Sequence, residues 1–272
     1  MKNIYRITLF TLREALSRKI FIIFFAVSTL VIIGFIIGFS IFDLNQFIKM
    51  RLGKETEQQI INEILSGIKG MVVGPLFGGG LFLSIFSTAG IISYLLEKGN
   101  IDLFLSKPIS RLQLLIGKFF GGILIVFLNI AYAVIGIWLL IGLKFSNWDP
   151  TFLYSILTIT FAFAVIYSLI ILATVLTRSS VLALVLSYTI FFIISPILAS
   201  REKIFEFAHN NALKATMDVL HYLVPQTSEL GTVSTVLAAT GKIPDYEPIW
   251  TSVCLCILIL FMSITIFNKK DY

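Results

Sequence analysis

The sequence predicts an all-α, polytopic integral membrane protein with six transmembrane helices. Of its 272 residues, 57% are hydrophobic and 13% charged, and the mean hydropathy is +0.96. The core of one soluble domain cannot hide that much apolar surface. The apolar residues also form six stretches free of Asp, Glu, Lys and Arg, at 20–42, 71–96, 119–143, 152–177, 181–199 and 249–267, each 19 to 26 residues long. A bilayer core about 30 Å thick needs roughly 20 helical residues, whereas barrel strands are about half as long and alternate polar with apolar. Helices are therefore the spanning elements.

Residues 2–19 read as a helix lying on the membrane surface. Ile4, Tyr5, Leu9, Leu12 and Leu16 fall on one arc, and Lys2, Arg6, Arg13 and Ser17 on the opposite one, with Ile7 and Phe10 off the pattern. The segment is either an interfacial elbow leading into the first span or a simple fixer of orientation. Its basic start resembles a secretory signal, but the apolar run of 23 residues at 20–42 exceeds the usual length of roughly 7 to 15, which keeps it in the mature chain as a span. Gly34 and Gly38 form a Gly-x-x-x-Gly pattern, a candidate helix interface.

Next comes a segment at 43–70 in which Ile60, Ile61, Ile64, Leu65 and Ile68 share a helical face that would rest on the membrane surface or on a partner. In the second span, Pro75 with Gly78, Gly79 and Gly80 is expected to loosen or bend the helix, as is Pro196 in the fifth. The fifth span begins only three residues after the fourth ends, and the sixth leans on Trp250 as its interfacial anchor, so a five-span count stays open. The segment 200–248 has a helical first half (Ile204, Phe205, Ala208, Ala212, Leu213, Leu220). Its second half is broken by Pro225, Gly231, Gly241, Pro244 and Pro248. It reads as a re-entrant or capping element, and the chain as one transmembrane domain over 1–272.

Six spans divide the remaining residues between two sides. The side holding 1–19, 97–118, 178–180 and 268–272 has twelve basic and four acidic residues, and the side holding 43–70, 144–151 and 200–248 has nine basic and eleven acidic. By the positive-inside rule the first side is cytoplasmic, with both termini. The formal net charge of +6 then reflects orientation, and nucleic acid is not an expected partner.

Several chemistries are missing. No span carries the ionisable residues that mark proton relays or intramembrane catalysis. His209 and His221 are twelve residues apart, outside any His-Glu-x-x-His pattern. Cys254 and Cys256, two apart on a helix, project away from each other and cannot close around one ion. The Gly-Lys pairs are followed by Glu55, Phe119 and Ile243, so the chain has no nucleotide-binding Gly-x-x-x-x-Gly-Lys-Ser/Thr loop.

The cytoplasmic segment 97–118 is the most distinctive. Gly99 and Asn100 make a turn, Ile101 to Leu105 suit one short amphipathic helix, and Pro108 suits the first turn of the next. A short helix held at the membrane face can pass motion from a soluble partner into the spans. The segment resembles the loop of ABC-2 type exporter permeases at Glu97, Gly99, Leu103, Leu105, Pro108, Ser110, Arg111, Leu114, Leu115, Gly117 and Lys118, with Asn100 where Thr is usual. The chain looks similar to the branch associated with copper-enzyme maturation and gliding motility, although no ligand cluster supports copper as cargo.

The resemblance implies a plasma-membrane permease subunit of a prokaryotic ABC transporter that pairs with a second copy or a homologous permease. Each would rest on a cytoplasmic ATPase that holds ATP and magnesium, so this chain itself needs no cofactor. Carried over, Asp102, Leu103 and Leu105 would contact the ATPase, while Glu97, Gly99, Pro108, Arg111 and Lys118 shape and orient the coupling loop. The alternative is an assembly subunit that relays ATP hydrolysis to a periplasmic or extracellular partner without passing cargo.

Overall fold

The computed structural model describes residues 2–17, 19–41, 57–97, 99–101, 109–208 and 211–270. Among them the chain is helical, with no strand. The helices are α1 (Lys2–Ser17), α2 (Lys19–Ile41), α3 (Glu57–Leu95), α4 (Arg111–Phe145), α5 (Tyr154–Thr177), α6 (Ser180–Thr189), α7 (Ser195–Ala199), α8 (Arg201–Ala208), α9 (Asn211–Leu223), α10 (Thr227–Thr240) and α11 (Glu247–Lys269). Six helices are long and apolar enough to cross a bilayer, the fifth being the composite Ser180–Ala199. Between the fourth and fifth, Arg178 turns left-handed at φ 57° to close α5, and the Ser179 side chain accepts from Leu182 N–H to open α6. Two caps in two residues separate those helices, which decides for six spans over five.

Helix α5 is the hub. In the span Pro150–Thr177 that it dominates, 67% of the most apolar stretch is buried, against 11% for the span of α2 at the rim. Phe163, Ile166, Tyr167, Ile170 and Ile171 fill the space between α3, α4 and α11. Helices α1 and α2 run parallel to α4, one after the other. Asn3 reaches Gln113, Ile7 meets Gly117 and Thr11 meets Gly121. Further along, the Ser28 hydroxyl donates to Asn129 Oδ1 at 2.6 Å and Ile32 meets Gly136.

Two expectations need correction. The amphipathic run before the second span does not form a separate surface element; it is the first part of α3, which continues through Pro75 for 39 residues. At 1.5 Å per residue that is about 58 Å, well beyond the bilayer core. Its Leu65 is buried and Ile68 packs on the core. Second, Gly231 does not break the outer segment. It lies inside α10, where a Cβ would come 3.0 Å from the Phe77 ring, so the glycine serves close packing on α3. At Pro196 the expected loosening is present: the proline stands in the first turn of α7, preceded by a π-turn, Ile190–Ile194, in which Ser195 N–H donates to Ile190 C=O. Slipping the ladder by one residue absorbs the donor that proline lacks.

Helix α10 runs antiparallel to both α3 and α5. Gly241 meets Thr151, Thr235 meets Gly70, and the Ser234 and Thr158 hydroxyls pair at 2.6 Å. The segment 227–241 therefore packs back along α3 and α5.

The turn between α4 and α5 is tied to α3 by a polar knot. Asp149 pairs with Lys69, its Oδ1 accepts from Thr151 N–H at 2.9 Å, and its carbonyl accepts from Trp138 Nε1 at 2.9 Å. Burial raises the Asp149 carboxyl pKa. Hydrogen bonds from Lys69 and Thr151, with the lysine charge, outweigh that and leave it below its ordinary 3.8. The knot is accordingly at full strength above pH 3.8 and is lost as pH falls through the lower folded-state value. Asp149→Asn leaves Lys69 buried without its counter-ion. We expect a loss of about 1–3 kcal/mol, read as a lower thermal midpoint of the purified chain in detergent near neutral pH.

Candidate functional site

The candidate site is the end of the bundle where the segment 97–118 joins α3 to α4. Asp102, Leu103, Leu105 and Pro108 lie outside the described residues. On the entry side, Gly99 takes φ +90°, a conformation that favours glycine. Asn100 and Ile101 donate backbone N–H to the Glu97 carbonyl at 3.1 and 3.3 Å. The Asn100 amide donates to Tyr94 C=O at 3.0 Å, satisfying a carbonyl near the end of α3. Asn100 thus has a capping job of its own here, in the position where Thr is usual in the loops it resembles. The expected turn at Gly99 and Asn100 is present. Glu97 is exposed and Ile101 buried.

On the exit side, α4 begins at Arg111 with a capping box rather than a first-turn proline. Ser110 Oγ accepts from Gln113 N–H at 3.2 Å, and the Gln113 side chain accepts from Ser110 N–H at 3.4 Å. The same Gln113 oxygen accepts from Asn3 Nδ2 at 3.2 Å, which fastens the cap to α1.

Arg111 does more than add a positive-inside charge. Its Nη1 donates to the carbonyls of Phe267, Asn268 and Lys270 at 3.0, 3.3 and 2.6 Å, and the guanidinium lies 5.9 Å from the Phe267 ring centroid. The last carbonyls of a helix have no intrahelical donor, and a cation there also meets the negative end of the helix dipole. Lys270 repeats the device one helix further on, its ammonium donating to Val175 and Leu176 C=O, both at 2.8 Å. The start of α4 therefore holds the end of α11, and the end of α11 holds the end of α5.

Lys118 is buried, with 1% of its side chain exposed, and its ammonium pairs with Glu14 on α1 at 2.7 Å. It also lies 5.6 Å from the Phe10 ring centroid. This pair forms because α1 and α4 touch backbone to side chain. A Cβ on Gly117 would fall 2.7 Å from Ile7, and one on Gly121 2.5 Å from Thr11. The buried stripe of α1 is Ile7, Thr11 and Ala15, flanking the apolar arc read from the sequence, of which Tyr5 and Leu16 remain exposed. The Gly117-x-x-x-Gly121 pattern carries the same signal as Gly34 and Gly38, and among the described residues it is the one of the two that packs within this chain. Among the described residues, a methyl group at Gly34 or Gly38 would have no neighbour within 4 Å. Both glycines line an apolar groove of about 550 Å³ with Val31, Phe35, Phe39, Ile68 and Met71.

Glu14, Phe267 and Lys270 are the contributors that sequence reasoning missed. Each lies far from the loop in sequence, and only its helix-end or helix-face position hints at a role. Cys256 packs against Ala164 while Cys254 is exposed. No group of three metal-ligating side chains occurs among the described residues.

These contacts can transmit displacement. A push on the segment 97–118 reaches α1 through Gln113 and Lys118, and reaches α11 and α5 through Arg111 and Lys270. If the Lys118–Glu14 pair fastens α1, Glu14→Gln takes the carboxylate charge from a buried lysine and should cost about 3–5 kcal/mol. The double variant Glu14→Leu, Lys118→Met should recover most of that loss, as measured by thermal midpoints of the two purified proteins.

Comparison with known proteins supplies the context for this geometry. A search of curated protein sequences gives no match. Residues 12–272 match the sequence profile of the ABC-2 family transporter protein. That match takes in all six apolar helices, the loop and part of α1, and the chain belongs to the ABC-2 transporter family as a multi-pass membrane permease.

Proposed function

We propose that this chain is the membrane subunit through which a separate cytoplasmic ATPase drives export. The observation that carries the reading is the paired use of Arg111 and Lys118. The first two turns of α4 grip the end of α11 and the length of α1, and Lys270 just past α11 grips the end of α5, so the segment before α4 is connected to half the bundle. In this reading Asp102, Leu103 and Leu105 contact the ATPase, which holds ATP and magnesium. Glu97, Gly99 and Pro108 set the loop's path, and Arg111 and Lys118 deliver its displacement. Both termini face the cytoplasm of a prokaryotic plasma membrane, as the excess of basic residues on that side supports. A second copy or a homologous permease completes the pathway, with Gly34 and Gly38 offering a face that no described helix of this chain occupies.

The test separates contact from transmission. An ATPase is expected to co-purify with the tagged wild-type chain from native membranes in mild detergent and to be lost with Leu103→Asp. Arg111→Gln should retain the ATPase, yet lose the change in ATP hydrolysis that joining the permease imposes on it. Recovery of folded wild-type chain without any ATPase would sink the reading.

A further inference from the structure

On the opposite end of the bundle, the outer segment buries a histidine that the coupling path does not use. His221, on α9, is 3% exposed. Its Nδ1 lies 3.0 Å from Nη1 of Arg201, at the start of α8. A guanidinium offers only N–H donors, so Nδ1 must accept and carry no proton. Nε2 lies 2.8 Å from the side-chain amide of Gln226. The two ends of that amide are assigned by their hydrogen bonds. The amide nitrogen faces Nε2 and, at 3.4 Å, the His221 carbonyl, and the amide oxygen accepts from the Thr251 hydroxyl at 2.6 Å; the same amide turned over offers Nε2–H its acceptor. The imidazole is thus held neutral between α8 and the turn into α10.

Charged groups surround it from each neighbouring helix. Arg201 comes from α8. Glu229 of α10 lies 3.8 Å from Nε2 and 3.2 Å from Arg201. Asp218, on α9 itself, lies 3.6 Å from Arg201 Nε. Glu247 of α11 accepts from the Tyr222 hydroxyl at 2.8 Å. Helix α7 has no titratable side chain, but its Ser195 Oγ accepts from Ser228 N–H at 2.9 Å and so holds the start of α10. Ser195, Leu198, His221, Pro225, Gln226 and Glu229 line one tight cleft.

We propose that His221 is a proton-operated latch on this outer hairpin. Neutral, it accepts from Arg201 and ties the base of α8 to α9 and α10. Protonated, its Nδ1 becomes a donor facing a donor, Arg201 is released to Glu229 and Asp218, and a charge enters the cleft that α7 and α10 keep tight. The proton comes from solvent, and no bond other than N–H forms. Burial pushes the imidazole below its ordinary 6.5, the Arg201 charge adds to this, and Glu229, Glu247 and Asp218 oppose it. A histidine depressed in the folded state stabilises the closed hairpin fully above 6.5, and that contribution disappears as pH falls through the folded-state value. The inference stands apart from the coupling reading, since it concerns the end of the bundle opposite the loop.

Limited proteolysis of the full chain in detergent, following cleavage within 200–248 at about pH 7.5 and about pH 5.5, tests the latch. Wild-type cleavage should accelerate on acidification, by up to about tenfold for each pH unit of depression. His221→Gln keeps an amide oxygen for Arg201 and cannot gain a proton, so its cleavage rate should stay flat. A flat wild type, or an equal rise in the variant, would overturn the proposal. Should the variant not fold, deuterium exchange at the imidazole C2 positions, read by mass spectrometry, titrates both histidines of the wild-type chain. A His221 midpoint below 6.5 supports the latch, and one at or above it refutes it.

Discussion

Five glycines on one face or another of α4 set how closely the other elements approach it. A Cβ at Gly117, Gly121, Gly122, Gly136 or Gly142 would fall within 2.4 to 2.7 Å of Ile7, Thr11, Tyr167, Ile32 or Trp148 respectively. Lipid tails are as apolar as leucine, so helices in a bilayer gain little by burying apolar surface against each other and associate through close packing and hydrogen bonds instead. Each glycine removes the one methyl that would hold a neighbour off. Both α1 and α2, the hub α5 and the turn that follows α4 are positioned by this single helix.

Polar contacts follow from that closeness. Ser28 reaches Asn129 only because Ile32 seats on Gly136, and Lys118 reaches Glu14 only because Ile7 and Thr11 seat on Gly117 and Gly121. A lysine with 1% exposure is tolerable where its partner is fixed in place, since leaving it alone would cost several kcal/mol of desolvation. Arg111 and Lys270 answer a related demand. The last turn of a helix exposes carbonyls, and a cation from a neighbouring element both satisfies them and fixes that element's position. One end of the molecule is consequently stitched by cations on helix ends, while the other is stitched by Lys69 with Asp149 and by Arg201 with Glu229.

This arrangement gives the two ends different mechanical characters. At the loop end the bonds from Arg111 and Lys270 are made to backbone carbonyls, beside the ion pair of Lys118 with Glu14. At the hairpin end they are made between ionisable side chains, one of them an imidazole, and their strength depends on protonation. The π-turn before Pro196 lies on the fifth span directly beneath that hairpin, where the helix ladder has already slipped by one residue.

Much of this was legible in the residues. Charge-free runs long enough to cross a bilayer identify the spans, because a charge in hydrocarbon is costly whatever the fold. Gly99 with Asn100 identifies the turn by local chemistry that needs no distant partner, whereas the cap at Ser110 and Gln113 went unread behind the expectation that Pro108 opens the helix. The resemblance to ABC-2 permeases was carried by the same stretch. Hydropathy cannot tell which apolar face meets lipid and which meets protein, since both are apolar. For that reason Ile7, Thr11 and Ala15 did not stand out as the packed stripe of α1, and Gly231 read as a breaker. Helix-end roles were equally hidden: nothing near Arg111 in sequence announces that the carbonyls of Phe267 and Lys270 lie beside it. The sequence by itself determined that the chain is helical and carries six apolar runs long enough to cross a bilayer, because those follow from desolvation and local backbone preference. Only the tertiary structure decided that α4 carries the other elements, that Arg111 and Lys118 act as ties, and that His221 faces Arg201, because each depends on residues brought together from far apart in the chain.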